Sequence, residues 1–329
     1  MDTELQQSIF RVNDYKTFRD AALKVFYYQA RHCRVYRDYL AGLDVNPDSV
    51  REIEEIPFLP VEFFKSHTVL VEGKTPEAVF ESSGTTLLTP ARHHIAELSI
   101  YRNSFTKSFN RFYGAPDNYC MLALLPSYLE RSASSLVYMM DHLIGESEHP
   151  DSGFYLDNLS ELAEVLRWRT ADKLPTLLMG VSFALLDLAE LHPLALGDNI
   201  IVMETGGMKG RRKELVRNEL HDILTSSFGI PVIHSEYGMT ELLSQGYSSG
   251  KGIYRSPPWM QVLVRDPNDP LSLLRAGQTG GLNIIDLANL YSCAFIATGD
   301  LGKVYIDGSF EVLGRYDHSD IRGCNLLVS

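Results

Sequence analysis

The stretch Ser82-Ser83-Gly84-Thr85-Thr86 places four hydroxyls and a glycine between the apolar run Ala78-Val79-Phe80 and a long helical pattern. Such a turn suits phosphate. Gly84 can take backbone angles closed to other residues, so successive N–H groups converge on an anion while the hydroxyls add donors. The loop is not a Walker A loop, whose Gly-Lys-Ser/Thr ending is missing. A hydroxyl-rich stretch also serves as an ordinary turn, and its meaning depends on three clusters further along. Glu204-Thr205-Gly206-Gly207-Met208 ends an apolar run with two glycines, which either let a flat ligand lie on the backbone or simply turn the chain. Tyr237-Gly238-Met239-Thr240-Glu241 offers an aromatic face for a base, a hydroxyl for a phosphate oxygen and a carboxylate for a magnesium ion. Asp300, within Ala297-Thr298-Gly299-Asp300-Leu301-Gly302, is suited to accept both hydroxyls of a ribose, and Arg315 to donate to the same sugar. Both are expected at turns, and either residue is otherwise a solvated surface charge.

The elements that must position these groups alternate. Apolar spacing (Phe18, Ala22, Val25, Phe26, Ala30) predicts a leading helix from Tyr15 to Leu40 that stops near Gly42. Pro57, Pro60 and the Phe58, Phe63, Phe64 cluster form a kinked connector expected to pack under the phosphate loop. A helix is expected from Ile95 to Tyr113, preceded by His93-His94 as helix-start residues. A strand buried on both faces is expected over Tyr119 to Leu125. The polar loop Pro126 to Ser135 leaves that strand's C-terminal end, where α/β proteins bind ligands. Strands at Thr176 to Met179, Asn199 to Glu204 and Val232 to Ser235 alternate with helices at Ser160 to Thr170, Val181 to His192 and about Arg211 to Ser227. That order predicts a mainly parallel α/β sheet flanked by helices. Beyond Tyr254, short β runs at Met260 to Val264, Leu282 to Ile285, Phe295 to Ala297, Lys303 to Ile306 and Phe310 to Leu313 predict a small antiparallel, barrel-like lobe. The expected division is therefore residues 1–254, 255–315 and a short tail, 316–329.

At 329 residues, 45% hydrophobic and 22% charged, the chain can bury a large core and is not disordered. A formal charge of −12 argues against a nucleic-acid surface, although Lys209-Gly210-Arg211-Arg212-Lys213 could meet a small anion. Cys33, Cys120, Cys293 and Cys324 show no C-x-x-C spacing, which fits reduced thiols and no zinc site. The N-terminus has no secretion-signal pattern, and Leu177 to Leu191 is too short to span a bilayer, so the expected location is cytoplasmic.

The order Ser-Ser-Gly-Thr-Thr, Tyr-Gly-Met-Thr-Glu, Thr-Gly-Asp and Gly-Arg resembles the adenylate-forming superfamily of acyl-CoA synthetases, luciferases and peptide-synthetase adenylation domains. Within it, Glu204-Thr205-Gly206-Gly207-Met208-Lys209-Gly210-Arg211, Pro126-Ser127-Tyr128-Leu129-Glu130-Arg131 and Ile321-Arg322-Gly323-Cys324 resemble the LuxE-type acyl-protein synthetases of bacterial fatty-acid reductase systems. The likeness covers essentially the whole chain. It implies the large N-terminal region of these enzymes without their small C-terminal domain. It also implies that ATP and magnesium activate a carboxylic acid, expected to be a fatty acid, to an acyl-adenylate. By matching motif, Ser82, Ser83, Gly84, Thr85 and Thr86 would grip phosphates. Gly206, Gly207 and Met208 would wall the adenine, Tyr237 with Gly238 and Met239 would seat the base, Thr240 would contact the α-phosphate, Glu241 would hold magnesium, and Asp300 with Arg315 would hold the ribose.

Two departures qualify the likeness. Leu87-Leu88-Thr89-Pro90-Ala91-Arg92 stands where related loops carry Gly and then Pro-Lys, leaving only Arg92 as a substitute for the lysine. Only 14 residues follow Arg315, so the C-terminal domain that bears a catalytic lysine in acyl-CoA synthetases is expected to be missing. Attention then falls on Cys324. The resemblance implies that it takes the acyl group as a thioester and passes it to an acyl-accepting reductase or carrier protein, and Arg322 or His318 could lower its pKa; a small buried residue is its plain alternative. The competing functions are an acyl-CoA ligase of the phenylacetate type and a non-catalytic nucleotide-binding subunit.

Overall fold

The computed structural model describes residues 2–82, 89–125, 133–156, 158–207 and 215–315. After a short helix α1 (Asp2–Ile9), helix α2 (Tyr15–His32) starts at a capping box in which Asp14 and Thr17 satisfy each other's backbone N–H groups, and it buries the face of Phe18, Ala22, Val25, Phe26 and Gln29. The single helix expected to Leu40 is two. Cys33 takes an extended backbone (φ −97°, ψ 102°), and α3 (Arg34–Gly42) restarts from it, so that Tyr36 can turn its hydroxyl to Pro57 O at 2.7 Å. A buried tyrosine hydroxyl needs such a partner, and that tertiary demand outweighs helix continuity.

The proline-bearing connector forms a two-residue strand β1 (Leu59–Pro60) and a short helix α4 (Phe63–Ser66). It packs Phe58 on Phe295 and Phe64 edge-on against His93. The next expectation is corrected: His93 and His94 lie in a strand. Residues on either side of 83–88 make the antiparallel hairpin β2 (Ala78–Glu81) and β3 (Arg92–Ile95), with Phe80 opposite His93, and helix α5 (Leu98–Tyr113) begins only afterwards. Alternating burial along Arg92–Ile95 outweighs the helical periodicity that continues from it.

The large sheet comprises β4 (Cys120–Leu124), β5 (Gly153–Tyr155), β6 (Thr176–Val181), β7 (Ile200–Thr205), β8 (His234–Tyr237) and β9 (Gly246–Ser248), in the order β5-β4-β6-β7-β8-β9. Every pair is parallel except β8 with β9. Its crossovers use α6 (Ser135–Ser147), α7 (Leu159–Asp172), α8 (Ser182–Leu191) and α9 (Arg217–Phe228). The wholly buried β4 and β6 explain why these strands read as unbroken apolar runs.

A second sheet, β10 (Ile253–Tyr254), β11 (Met260–Arg265), β12 (Thr279–Asp286), β13 (Phe295–Val304) and β14 (Phe310–Arg315), is antiparallel, and β1 joins it alongside β13. Here the two runs expected at Phe295 and Lys303 are one strand. Thr298-Gly299-Asp300 lies inside β13 rather than at a turn, and the pairing with β12 shifts register between Gly281 and Asn283. A bulge of this kind re-aims side chains without ending a strand. No helix among the described residues is long and apolar enough to cross a membrane.

Gln29 ties α2 to the turn before β13. Its Nε2 donates to Asn289 O (2.8 Å) and Leu290 O (2.9 Å), and its Oε1 accepts from Ala294 N (2.9 Å). Gln29→Leu leaves these buried backbone groups unpaired, and the expected loss is about 3 kcal/mol of unfolding free energy in urea titration. A loss under about 1 kcal/mol would show that the turn holds itself.

Candidate functional site

Between β8 and β9 the chain runs through Gly238 to Gln245 with little regular structure, and buried side chains from other elements fix its backbone. His93 Nδ1 lies 2.9 Å from Thr240 O, and Nε2 lies 2.9 Å from Ser292 Oγ. A carbonyl only accepts, so Nδ1 carries the proton and Nε2 accepts from the serine hydroxyl. Burial lowers the His93 pKa to about 4, keeping the ring neutral. Asn289 Nδ2 donates to Glu241 O at 2.8 Å. Asp286 accepts from Leu243 N (2.8 Å), Ser244 N (2.9 Å) and Ser244 Oγ (2.6 Å), and its burial raises the carboxyl pKa to about 6. The Gly238-Met239-Thr240 segment, exposed to half-buried, is thereby presented on a fixed backbone.

The expected nucleotide residues of β8, β13 and β14 gather beside it. Tyr237 Oη donates to Asp300 Oδ2 at 2.7 Å, and Arg315 Nε lies 3.3 Å from Asp300 Oδ1. Asp300 and Arg315 are direct cross-strand partners, the carboxylate buried and the guanidinium side chain 83% exposed. The Tyr237 ring makes edge-to-face contacts with Tyr254 and Phe310, which themselves stack. Each Asp300 oxygen keeps acceptor capacity beyond its present partner, which a pair of vicinal hydroxyls would use. Glu241 is also buried here. Burial raises its carboxyl pKa to about 7, Arg315 and Lys65 draw it back down, and Asp300 adds to the rise. The Glu241 carboxylate makes no hydrogen bond to another described residue. A buried carboxylate held only by its own backbone N–H, with a second carboxylate near it, fits a hard divalent cation, whose charge would reverse the cost of ionisation.

Gly206 has φ +69°, where glycine is favoured, and its carbonyl accepts from Ser182 Oγ at 3.1 Å. Gly207 follows it at the end of β7. Ser82 closes the base of the hairpin, its N donating to Ala91 O (3.0 Å) and its Oγ accepting from Ala91 N (2.9 Å). Arg92 is engaged across that hairpin by Glu81 at 2.9 Å. Ser83, Gly84, Thr85, Thr86, Met208 and Cys324 lie outside the described residues, as do most of the polar loop after β4 and the basic cluster after Met208. Cys33, Cys120 and Cys293 are buried, and burial raises all three thiols, the first two to about 11, which leaves them poor nucleophiles.

His93, Asp286, Asn289 and Lys65 did not emerge as site residues from the sequence. The one available signal was the Asp286-Leu287-Ala288-Asn289 stretch, polar residues bracketing an apolar pair at a strand end, which the fold uses as an Asp-capped turn.

No family model matches the sequence, and no curated protein matches it. Solved structures do. MatB from Rhodopseudomonas palustris with bound ATP aligns with a TM-score of 0.55 at 16% identity over 72% of this chain and 48% of that one. The present chain thus spans about half the length of that protein. A 2-hydroxyisobutyryl-CoA ligase, solved with 2-HIB-AMP and CoA in the thioesterification state, aligns with a TM-score of 0.66 at 16% identity over 92% of this chain and 68% of that one. Its open conformation gives 0.64 at 14% identity. The chain has the α/β fold of the N-terminal domain of adenylate-forming enzymes.

His93 gives the site a pH signature. Between pH 4 and 6.5 the unfolded imidazole binds a proton that the native one refuses, so the neutral ring stabilises the fold above this window and that stability is lost as pH falls through it. His93→Gln removes the linkage. The stability advantage of the parent over this variant should shrink by about 3 kcal/mol from neutral pH to the bottom of the window, read from urea midpoints at a series of pH values. A constant gap would contradict a neutral buried His93.

Proposed function

We propose that this protein uses ATP to activate a carboxylic acid as an acyl-adenylate. The substrate carboxylate oxygen attacks the α-phosphorus, the bond from that phosphorus to the bridging oxygen breaks, and the electron pair leaves with pyrophosphate. The observation that supports this reading is the proximity of Tyr237, Glu241, Asp300 and Arg315 around the end of β8, with Thr240 next to Glu241 in the chain, in a fold shared with ligases solved with ATP or an acyl-AMP. In it Asp300 and Arg315 take the ribose, Tyr237 the base against Gly206 and Gly207, and Thr240 the α-phosphate, with Ser82 to Thr86 around the outer phosphates. Glu241 would hold magnesium, which when bound supplies charge neutralisation at the phosphates. Fixed donors aimed at the developing charge are the main catalytic requirement.

The second half of the proposal gives the acyl group to Cys324. Its thiolate attacks the acyl carbonyl, AMP leaves, and a second thiol exchange delivers the acyl group to a partner protein, an acyl-accepting reductase or carrier. Motif resemblance around Arg322-Gly323-Cys324 supports it. Coenzyme A is the competing acceptor, favoured by the ligases whose fold is shared, one of them solved with CoA.

The test is incubation with ATP, magnesium and a panel of carboxylic acids, following ATP–pyrophosphate exchange and the intact mass of the protein. Exchange is expected, with Asp300→Asn reducing it at least tenfold, about 1.4 kcal/mol, chiefly through the KM for ATP. Cys324→Ser is expected to keep exchange and lose the acyl adduct. Acyl-CoA formation without an adduct would favour coenzyme A as acceptor, and nucleotide binding without exchange would leave a binding subunit.

A further inference from the structure

Strand β8 turns alternate side chains to its two faces. Tyr237 points toward Tyr254, Phe310 and Asp300, while Glu236 points the other way, under helix α5. Glu236 is buried and Thr205 Oγ1 donates to its Oε2. Its cross-strand partner on β9 is Tyr247, and Gln245 lies on the same face two residues earlier. A Cβ placed on Gly238 would sit 2.5 Å from Glu236 Oε1 and 3.6 Å from Gln245 Cγ, so carboxylate and amide side chain meet over that bare glycine.

Two atoms here are anomalous. Tyr247, 2% exposed, and Gln245, 4% exposed, bury Oη and Oε1 with no hydrogen-bond partner among the described residues. Leaving either unpaired costs roughly 1–3 kcal/mol. Phe112 and Tyr113 pack on the Tyr247 ring. Glu236 has the Thr205 hydroxyl as its partner and, among the described residues, no cation beside it. Burial raises its pKa to about 7, and the neighbouring charge, Glu204, is another carboxylate. A carboxylate, an amide oxygen and a phenol therefore cluster on one face, all three able to accept hydrogen bonds.

We propose that Glu236, Gln245 and Tyr247 form the recognition pocket for the acid's tail, and that the substrate carries a hydrogen-bond donor there, a hydroxyl or an amine, in place of a plain hydrocarbon end. The inference rests on the activation reading for the identity of the ligand as a carboxylic acid. Nucleotide and acid then take opposite faces of β8, meeting at Thr240 beyond its end. This narrows the expected fatty acid to a polar-tailed acid. A site built to satisfy such a donor discriminates strongly against analogues that lack it, because the pocket's polar atoms are left unpaired.

The experiment compares matched short straight-chain acids, unsubstituted, hydroxyl-bearing and amine-bearing, on the full chain by two readouts: binding without ATP by calorimetry, and ATP–pyrophosphate exchange. Donor-bearing acids are expected to win by roughly a hundredfold or more in exchange. Glu236→Gln and Tyr247→Phe should each shrink that preference about tenfold, read as the ratio of exchange with the donor-bearing acid to exchange with the unsubstituted one. The hydroxyl and amine arms separate the two donors. If Glu236→Gln fails to fold, Tyr247→Phe, which removes one oxygen, carries the test. Strong exchange blind to the donor overturns the pocket and keeps activation; it would mean that buried water occupies these atoms. Donor-selective binding without exchange overturns activation and keeps the pocket, and no binding of any acid overturns both.

Discussion

Everything at the candidate site depends on holding eight residues of loop, Gly238 to Gln245, against a sheet edge without a ladder of their own. Buried backbone groups outside regular structure must find partners or cost free energy. Here the partners are side chains: His93 for Thr240 O, Asn289 for Glu241 O, and Asp286 for the N–H groups of Leu243 and Ser244. Asn289 is in turn placed by Gln29 through the backbone of its turn, and Ser244 Oγ meets Trp259 Nε1 at 3.1 Å. The position of a proposed phosphate contact is thus set by α2, the β2–β3 hairpin and the antiparallel sheet together. Each of these ties acts through another residue, so their contribution is geometry rather than chemistry.

Strand β8 divides the work of the site. Its two-residue periodicity sends Tyr237 to the antiparallel sheet and Glu236 toward α5, so a one-residue slip would exchange the two faces. Pairing on both sides prevents that slip: Thr205 lies opposite Glu236 on β7, and Tyr247 opposite it on β9. The bulge in the β12–β13 pairing plays the complementary role from the second sheet. Thr298 Oγ1 donates to Leu282 O and accepts from Asp300 N, which holds the Asp300 backbone so that its carboxylate reaches the Tyr237 hydroxyl.

Much of this was legible in the sequence wherever meaning is local. Strands buried on both faces show as short apolar runs, and the β-α alternation between Cys120 and Tyr237 follows from them directly. Tyr237, Glu241, Asp300 and Arg315, expected together from contiguous motifs, do lie near one another in the fold. What escaped is non-local. Cys33 interrupts a helix with no proline or glycine to announce it, since the break serves Tyr36 and its partner Pro57. His93 looked like the start of a helix because its role depends on Thr240, 147 residues away. Thr298-Gly299-Asp300 has turn composition, yet the pairing of β13 with its neighbours carries the strand through it.

The electrostatics of the site follow from a balance of acid and base inside a chain that is acidic as a whole. On the proposed nucleotide side Asp300 and Glu241 stand near Arg315 and Lys65, so the described charges roughly cancel before any ligand arrives. A triphosphate brought there would add negative charge to a chain already at −12, and among the described residues Arg315 and Lys65 are already balanced by Asp300 and Glu241. The burial that raises Glu241 to about 7 makes proton and metal ion competitors for one carboxylate, because each relieves the same desolvation cost. A nucleotide that arrives with its divalent ion resolves both problems in one step, neutralising the phosphates and giving the buried carboxylate a reason to ionise. On the proposed reading, the buried Glu241 carboxylate would therefore favour the metal complex over the bare anion.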